Sequence, residues 1–222
     1  MKIAVVIPTL DEAAQIADAV RSASGSGVEV IVVDGGSADG TAQRAAAAGA
    51  RVVSSSPGRA RQLGVGAREC RGDVILFLHA DTRLPPGWDA AVRLALEDEG
   101  TVGGAFRLCF DRRTPVLRLL EWGVRLRVAL FGMPYGDQAL FVRRDELEAT
   151  GGVPQVPIME DLDLVSAMKR RGRLARLRLA VVTSSRRHRA GGPLCTAARH
   201  LVAALAWRVG VDRAHIATWA RR

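Results

Sequence analysis

Acidic residues follow three of the apolar runs in the first half of the sequence, where they could bind a metal ion or a nucleotide. Glu12 follows the first run, Asp34 ends the second, and Asp81 follows the fourth. Carboxylate oxygens are the ligands that Mg²⁺ and Mn²⁺ prefer, and these ions often bridge substrate phosphates. Asp81 therefore indicates a metal site, although an aspartate that only caps the turn into Thr82–Pro86 would satisfy the same pattern.

A second group of acids, Glu160, Asp161 and Asp163, stands at the start of a helical pattern. Acids in the first turn of a helix are stabilised by its dipole. One of them could also accept a proton as a general base. The pattern alone is compatible with both interpretations.

Two common nucleotide-binding motifs are absent. No glycine follows the first apolar run, which argues against the G-x-G-x-x-G motif of a dinucleotide enzyme. Gly35–Thr41 has the glycine spacing of a P-loop but lacks its lysine, and Asp39 would repel a phosphate there. We expect a tight turn into a helix capped by Ser37 or Asp39. Such a turn leaves the position of Asp34 unexplained.

The elements that must position these residues alternate regularly in the first half. Short, nearly continuous apolar runs predict strands buried on both faces, and amphipathic segments with short links predict helices between them. Strands are predicted at Lys2–Ile7, Val28–Val33, Arg51–Ser54 and Val74–Leu78, and helices at Glu12–Ala23, Asp39–Ala48 and Arg59–Cys70. This order predicts an α/β fold with a mostly parallel sheet, in which ligands bind at the carboxyl ends of the strands.

The second half is less regular. The patterns predict strands at Gly104–Phe110, Gln138–Arg143 and Leu177–Thr183, and helices at Val116–Phe131, Asp161–Arg171 and Leu194–Val209. In the helix from residue 116, the apolar stripe is Leu117, Leu120, Val124 and Val128.

Composition narrows the class of protein. The chain has 222 residues, of which 48% are hydrophobic and 25% charged, as expected for a globular protein. Its net charge of +9 arises in residues 151–222, where 14 basic residues face four acids. Such an excess predicts an anionic partner, although a general preference for arginine would also produce it.

Cysteines and hydropathy bear on where the protein acts. Three widely spaced cysteines argue against a disulfide framework, and the N-terminus has no signal-peptide pattern. The longest run without Asp, Glu, Lys or Arg has 11 residues, too few for a membrane span of about 20. We expect a cytoplasmic protein, either free or on the inner face of the membrane.

Six segments in this order resemble family 2 glycosyltransferases, which are inverting, nucleotide-sugar-dependent enzymes of GT-A fold. The segments are VVIPTLDE at 5–12, VDGGSADGT at 33–41, GRARQLGVGA at 58–67, ILFLHADT at 75–82, YGDQALFVRR at 135–144 and MEDLDL at 159–164. The chain is most similar to the small bacterial branch termed transferase 2, rSAM/selenodomain-associated. The resemblance implies a single domain over residues 1–222, with a nucleotide-binding half at about 1–100 and an acceptor-side half at about 101–222 that ends in helices.

The resemblance also implies roles for matched residues. Asp161 would be the catalytic base, and Asp81 would bind a divalent cation, Mn²⁺ or Mg²⁺. The donor, a UDP- or GDP-sugar, would contact Pro8, Thr9, Glu12, Asp34, Arg59, Gln62 and His79. Asp137, Gln138 and Glu160 would face the sugar or the acceptor.

One residue departs from the family pattern. His79 occupies the position of the first acid in the D-x-D motif, which leaves the expected metal site with one fewer negative charge. Arg186–Arg189, after the last strand, could balance the charge of the site. Within this segment His188 is a candidate metal ligand, and a solvated basic loop is the alternative.

Two other functions remain open. A nucleotidyltransferase shares a parallel sheet and an acid-held metal, but it usually carries a basic, glycine-rich loop after the first strand. A non-catalytic nucleotide-sugar-binding protein would explain His79 but not the retained acids at 81, 160 and 161. Nucleic-acid binding is disfavoured, because the few aromatic residues form no stacking platform.

The helices from residues 116 and 194 carry arginines beside their apolar stripes, at Arg118, Arg125, Arg127, Arg199 and Arg208. Such helices can lie in the interface of an anionic membrane, which would give access to a lipid-like acceptor. Packing of the stripes on the sheet, or in a homodimer, is the alternative.

Overall fold

The computed structural model describes residues 1–186 and 192–220. In the first half, strands β1 (Ile3–Thr9), β2 (Val28–Asp34), β3 (Arg51–Ser54) and β4 (Val74–Phe77) alternate with helices α1 (Ile16–Ala23), α2 (Thr41–Ala47) and α3 (Arg59–Glu69). The four strands run parallel to one another. The predicted order of elements is therefore confirmed here, and the strand and helix bounds agree within a few residues.

The rest of the chain adds four strands and six helices among the described residues. Strands β5 (Thr82–Arg83), β6 (Thr101–Phe110), β7 (Phe141–Arg143) and β8 (Arg173–Thr183) join helices α4 (Trp88–Ala95), α5 (Pro115–Phe131), α6 (Arg144–Ala149), α7 (Glu160–Arg171), α8 (Pro193–Arg208) and α9 (Arg213–Ala220). All eight strands form one sheet of order β3-β2-β1-β4-β7-β6-β8-β5. The pairings of β7 with β4 and β6 and of β5 with β8 are antiparallel, so the sheet is mixed but mostly parallel.

One predicted strand is wrong in its extent. Gln138 does not begin a strand but ends a 3₁₀ turn, Gly136–Gln138, and β7 starts only at Phe141. Ala139 has a positive φ of 47°, which breaks an extended run. The turn therefore presents residues 136–138 at the carboxyl end of β4 instead of burying them in the sheet.

Helices cover both faces of the sheet, as the apolar strands predict. Residues such as Val5, Leu76 and Phe141 pack against α1, α4 and α5 on one face. Residues such as Val6, Ile75 and Val142 pack against α3 and α7 on the other. The apolar stripe of α1, Ile16, Ala19, Val20 and Ala23, is fully buried.

The apolar stripe predicted for α5 also packs inward. Leu117 is buried, and Leu120 and Val124 pack against the core. None of the helices in the described residues is long and apolar enough to cross a membrane.

Candidate active site

The candidate site lies where the carboxyl end of β4, the 3₁₀ turn and the start of α7 meet. A methyl group built on Gly136 would lie 3.1 Å from Asp161 Oδ2 and 3.4 Å from His79 Nε2. The structure thus brings together residues that are up to 82 positions apart in the sequence. A small cavity of about 20 Å³ is lined by these three residues together with Arg59 and Glu160.

Asp161 is held from two sides. The backbone N–H of Gly136 donates to Asp161 Oδ2 at 2.7 Å, and that of Leu162 donates to Oδ1 at 3.0 Å. The side chain is 13% exposed and stands in the first turn of α7. Its orientation suits a carboxylate that accepts a proton.

Arg59 supplies the positive charge beside this acid. Its Nε donates to Glu160 Oε1, and its Nη2 lies 3.8 Å from Asp161 Oδ1. Burial alone would lower the pKa of Arg59, but the charges of Glu160, Asp161 and Asp137 raise it above its ordinary value. The guanidinium therefore stays charged, and it neutralises the nearly buried Glu160.

Asp163, the third acid of this helix, has a structural role. Trp207 Nε1 and Arg213 Nη2 each donate to Asp163 Oδ1 at 2.8 Å. These bonds fix α8 and α9 against the start of α7. The geometry thus distinguishes two acids that the sequence pattern left equivalent.

The 3₁₀ turn places the carboxyl group of Asp137 among charged neighbours. Burial raises the pKa of Asp137, Asp161 raises it further, and the charges of Arg127 and Arg59 oppose this shift. Asp137 Oδ1 is buried and has no hydrogen-bond partner among the described residues. Such an atom costs about 1–3 kcal/mol unless a ligand or water satisfies it.

Gln138 holds the turn in place. Its Nε2 donates to Phe106 O at 2.9 Å, and its Oε1 accepts from Tyr135 N and Arg127 Nη2, each at 3.2 Å. Arg127 also stacks over the Tyr135 ring, 3.3 Å from its centroid. The sequence pattern placed Arg127 beside the apolar stripe of α5, and only the structure shows that it reaches the turn.

On the donor side, the predicted residues lie at the carboxyl ends of β1 and β2. Gln62 Nε2 donates to Thr9 O and Val33 O, each at 2.8 Å, and so bridges the two strands. Thr9 Oγ1 is buried without a partner among the described residues. Pro8, next to Thr9, is paired with Val33 in the sheet.

The Asp34 carboxylate accepts from its own turn. Gly36 N and Ser37 N donate to Oδ2 at 3.2 and 3.0 Å, and Ser37 Oγ donates to Oδ1 at 2.5 Å.

The predicted cap of α2 is only partly present. Gly40 precedes the helix in a left-handed conformation, while Asp39 Oδ1 accepts from Thr41 N at 3.0 Å.

The segment after β8 reaches the same strand ends. Arg186 Nη2 donates to both Glu12 oxygens, at 2.8 and 2.6 Å. Ser184 N donates to Asp81 O at 3.0 Å. His188 lies outside the described residues.

The carboxylate of Asp81 is bonded only weakly to its surroundings. Its side chain is partly exposed and receives one long hydrogen bond, from Thr82 Oγ1 at 3.4 Å. Within residues 1–186 and 192–220, no three His, Cys, Asp or Glu side chains are grouped to hold a metal by themselves. One carboxylate still fits Mg²⁺ or Mn²⁺ when substrate phosphates and waters complete the shell.

The mixed, mostly parallel sheet, with Asp81 after β4 and Asp161 at the start of α7, has the arrangement of a GT-A fold. A profile described as glycosyl transferase family 2 matches residues 4–146. The chain belongs to this family.

Similar proteins agree with this assignment. A glucosyl-3-phosphoglycerate synthase from Mycolicibacterium paratuberculosis is 40% identical over 92 residues, which are 36% of this chain and 28% of that protein. The match thus spans less than a third of that relative's length. The crystal structure of glucosyl-3-phosphoglycerate synthase from Mycobacterium tuberculosis with Mn²⁺, UDP and glucosyl-3-phosphoglycerate has a TM-score of 0.69 and 27% identity. The likeness covers 95% of this chain and 81% of that one.

A second complex of the M. tuberculosis synthase holds Mn²⁺, UDP-glucose and glycerol 3-phosphate. Its TM-score is 0.62 at 28% identity, over 81% of this chain and 70% of that one. Together these likenesses confirm the expected GT-A fold.

Proposed function

We propose that the protein transfers a sugar from a nucleotide-sugar donor to an acceptor hydroxyl, with inversion at the anomeric carbon. The observation that carries this proposal is the Asp161 carboxylate, held by Gly136 N–H at 2.7 Å beside the strand end that carries His79 and Asp81. Family membership and the likeness to a synthase whose crystal structure holds UDP-glucose support the same activity.

The donor would lie across the ends of β1, β2 and β4. Pro8, Thr9, Glu12 and Asp34 would face the nucleoside, with Thr9 Oγ1 as a free hydrogen-bonding atom. Gln62 would hold the two strand ends of this pocket together, because its amide nitrogen donates a hydrogen bond to a carbonyl of each strand. Complexes of the M. tuberculosis synthase hold UDP, so we propose a UDP-sugar.

Asp81 would hold the divalent cation, with His79 beside it. A bound Mn²⁺ or Mg²⁺ would neutralise negative charge on the diphosphate. Arg59 and Arg186 lie at the same strand ends and would add positive charge there, provided that their ion pairs with Glu160 and Glu12 leave a donor free for the phosphates.

Asp161 would accept the proton from the attacking hydroxyl. An inverting displacement needs one such base and no covalent sugar–enzyme intermediate. The Gly136 N–H orients the carboxylate. Asp137, whose Oδ1 is free, and Gln138 would border the sugar or the acceptor, while Glu160 orients Arg59.

A donor screen tests this function directly. The protein would be incubated with Mn²⁺ and UDP-, GDP- or dTDP-sugars, with 3-phosphoglycerate, glycerol 3-phosphate or alkyl phosphates and alcohols as acceptors. We expect release of UDP that depends on the metal and on an acceptor. Release of diphosphate from a nucleoside triphosphate would indicate a nucleotidyltransferase instead. Tight UDP-sugar binding without turnover for any acceptor would indicate a non-catalytic binding protein.

We also propose that the protein contacts a membrane through helices α5 and α8. Leu119, Trp122, Leu126 and Leu130 form the outer face of α5, each at least 40% exposed. Helix α8, which packs beside α5, exposes Leu201, Val202 and Leu205. This stripe is distinct from the inward stripe that the sequence predicted, and it forms an apolar patch of the kind that marks an interaction site.

An anionic bilayer fits this patch better than a homodimer. Arg118 and Arg125 are exposed along one edge of the outer face, and Glu121, the one acid of α5, is turned inward to accept from Phe110 N. In a twofold dimer the two basic rims would repel each other. Arg127 is excluded from this rim, because it contacts Tyr135 and Gln138.

Liposome co-sedimentation tests the membrane contact. Binding should appear with anionic vesicles, weaken as salt rises and drop for Trp122→Ser with Arg118→Gln. Leu94→Ser on α4, also exposed, is the matched control. Equal behaviour with neutral vesicles, or a concentration-dependent dimer that the same variant disrupts, would contradict membrane docking.

A further inference from the structure

A groove of about 660 Å³ runs between helix α5 and strands β6 and β8. Its walls include the apolar side chains of Leu108, Val124, Val128 and Leu177. The volume is that of a small-molecule site, whereas the patch on the outer face of α5 is a flat surface. None of the sequence motifs pointed to this groove, because its residues come from several elements that are distant in the sequence.

The charge of the groove has one sign. Five basic residues line it and no acid does: Arg107, Arg125, Lys169, Arg173 and Arg176. Arg173 is offset by an ion pair with Asp98. The other four make no ion pair with a carboxylate within residues 1–186 and 192–220.

Two of these cations close the end of α5. Lys169 Nζ donates to Phe131 O at 2.7 Å, and Arg176 Nη1 donates to Ala129 O at 3.4 Å. Their partners are neutral carbonyls, so the positive charge is retained. Arg107 and Arg125 are exposed at the rim and available to an anion.

The groove shares a wall with the candidate active site. Gln138 lines the groove, while Gly136 and Leu140 line the small cavity at Asp161. The segment 136–140 therefore separates the two spaces, and Gln138 is fixed there by Phe106 O and Arg127.

We infer that this groove binds an amphiphilic anion, a hydrocarbon chain that carries a phosphate or carboxylate group. The chain lies along the apolar wall of α5, and the anionic group pairs with Arg107 or Arg125. The inference rests on the proposed function in one respect: the amphiphile is the acceptor, and its hydroxyl-bearing end lies at the Gly136–Gln138 turn, the wall that the groove shares with the cavity at Asp161. A second copy of the chain is a poorer occupant, because its basic residues would meet basic residues.

Calorimetric titration tests the groove without any sugar transfer. The probes are octyl phosphate below its micelle concentration, butyl phosphate, octanol and inorganic phosphate. We expect octyl phosphate to bind at least tenfold more tightly than each of the others, since each buried methylene raises affinity about fourfold. Equal binding of octanol or of inorganic phosphate would overturn the inference.

Matched variants of residues that line the groove and of residues outside it locate the site. Arg125→Gln and Val128→Gln should each weaken octyl phosphate binding at least tenfold. Arg118→Gln and Leu126→Gln change the same residue types or sizes on the outer face and should leave it unchanged. Equal losses in both pairs, or no loss in the groove pair, would overturn the placement.

Two further readouts separate this inference from the proposed function. Asp161→Asn should bind octyl phosphate as the unaltered protein does. If octyl phosphate binds in the groove but no donor is ever turned over, the proposed function fails while the groove stands. If sugar transfer to a small acceptor proceeds undisturbed at saturating octyl phosphate, the acceptor role of the groove is overturned.

Discussion

The two halves of the sheet use their polar residues differently. At the ends of β1 and β2, Gln62 and Asp34 are bonded to nearby backbone and fix the shape of the strand ends. At the 3₁₀ turn and the start of α7, Asp137 and Asp161 lie close to Arg59, and Asp137 Oδ1 has no partner among the described residues. The polar residues of the first half are thus bonded to the fold itself, whereas those of the second half gather charges of both signs in a small space.

The largest expected effect is that of replacing Asp81, the proposed metal ligand. Asp81→Ala should abolish the metal-dependent part of UDP binding, because it removes the carboxylate that would hold the cation. Calorimetry with UDP, with and without Mn²⁺, measures this, and Asp89→Ala on α4 is the control. Unchanged Mn²⁺-dependent affinity in Asp81→Ala would break the assignment of metal binding to β4.

A second prediction concerns the charge of the second half. Arg59→Gln would leave Glu160, whose side chain is 4% exposed, without its cation. Removing one partner of a buried pair costs about 3–5 kcal/mol, and since Arg59 is 38% exposed we expect about 2 kcal/mol.

Chemical denaturation of Arg59→Gln, Glu160→Gln and the double variant measures this coupling. The double variant should recover most of the stability. Arg51→Gln breaks an exposed pair with Glu29 and should cost less than about 0.5 kcal/mol. Equal losses for Arg59→Gln and Arg51→Gln would remove the contrast between the two regions.

The smallest expected effect lies at Asp137. Burial raises the pKa of this carboxyl, so the folded state favours its protonated form. That preference stabilises the fold below the ordinary aspartate pKa of about 3.9 and is lost as pH rises through the raised value. Asp137→Asn should therefore melt at a higher temperature than the unaltered protein near pH 7 and equally near pH 3. A variant less stable near pH 7 would show that the ionised carboxylate has an unseen partner.

Sequence patterns predicted the first half well for a physical reason. Strands buried on both faces, such as Val74–Phe77, must be continuously apolar, and the stripe of α1 must match the helical period. The acids at positions 34, 81 and 161 could be found because they end or begin such elements.

The second half was less predictable because long-range contacts decide it. The Gly136–Gln138 turn is short and depends on Gln138 reaching Phe106. Arg127 lies on the inner side of α5, where it stacks on the Tyr135 ring and donates a hydrogen bond to Gln138. The exposed stripe of α5 was missed because a helix with apolar residues on two sides shows no single periodic face.

We propose that Asp161 accepts the proton during sugar transfer, while residues in the first half of the chain bind the donor. Asp161→Asn keeps the shape of the side chain and removes the proton acceptor. In one experiment, UDP binding in the presence of Mn²⁺ and the rate of sugar transfer would be measured for this variant and for Asp163→Asn. We predict that Asp161→Asn binds UDP with unchanged affinity and transfers sugar on the order of 10²- to 10⁴-fold more slowly. Full transfer activity in Asp161→Asn, or its loss in Asp163→Asn with UDP binding intact, would contradict the account.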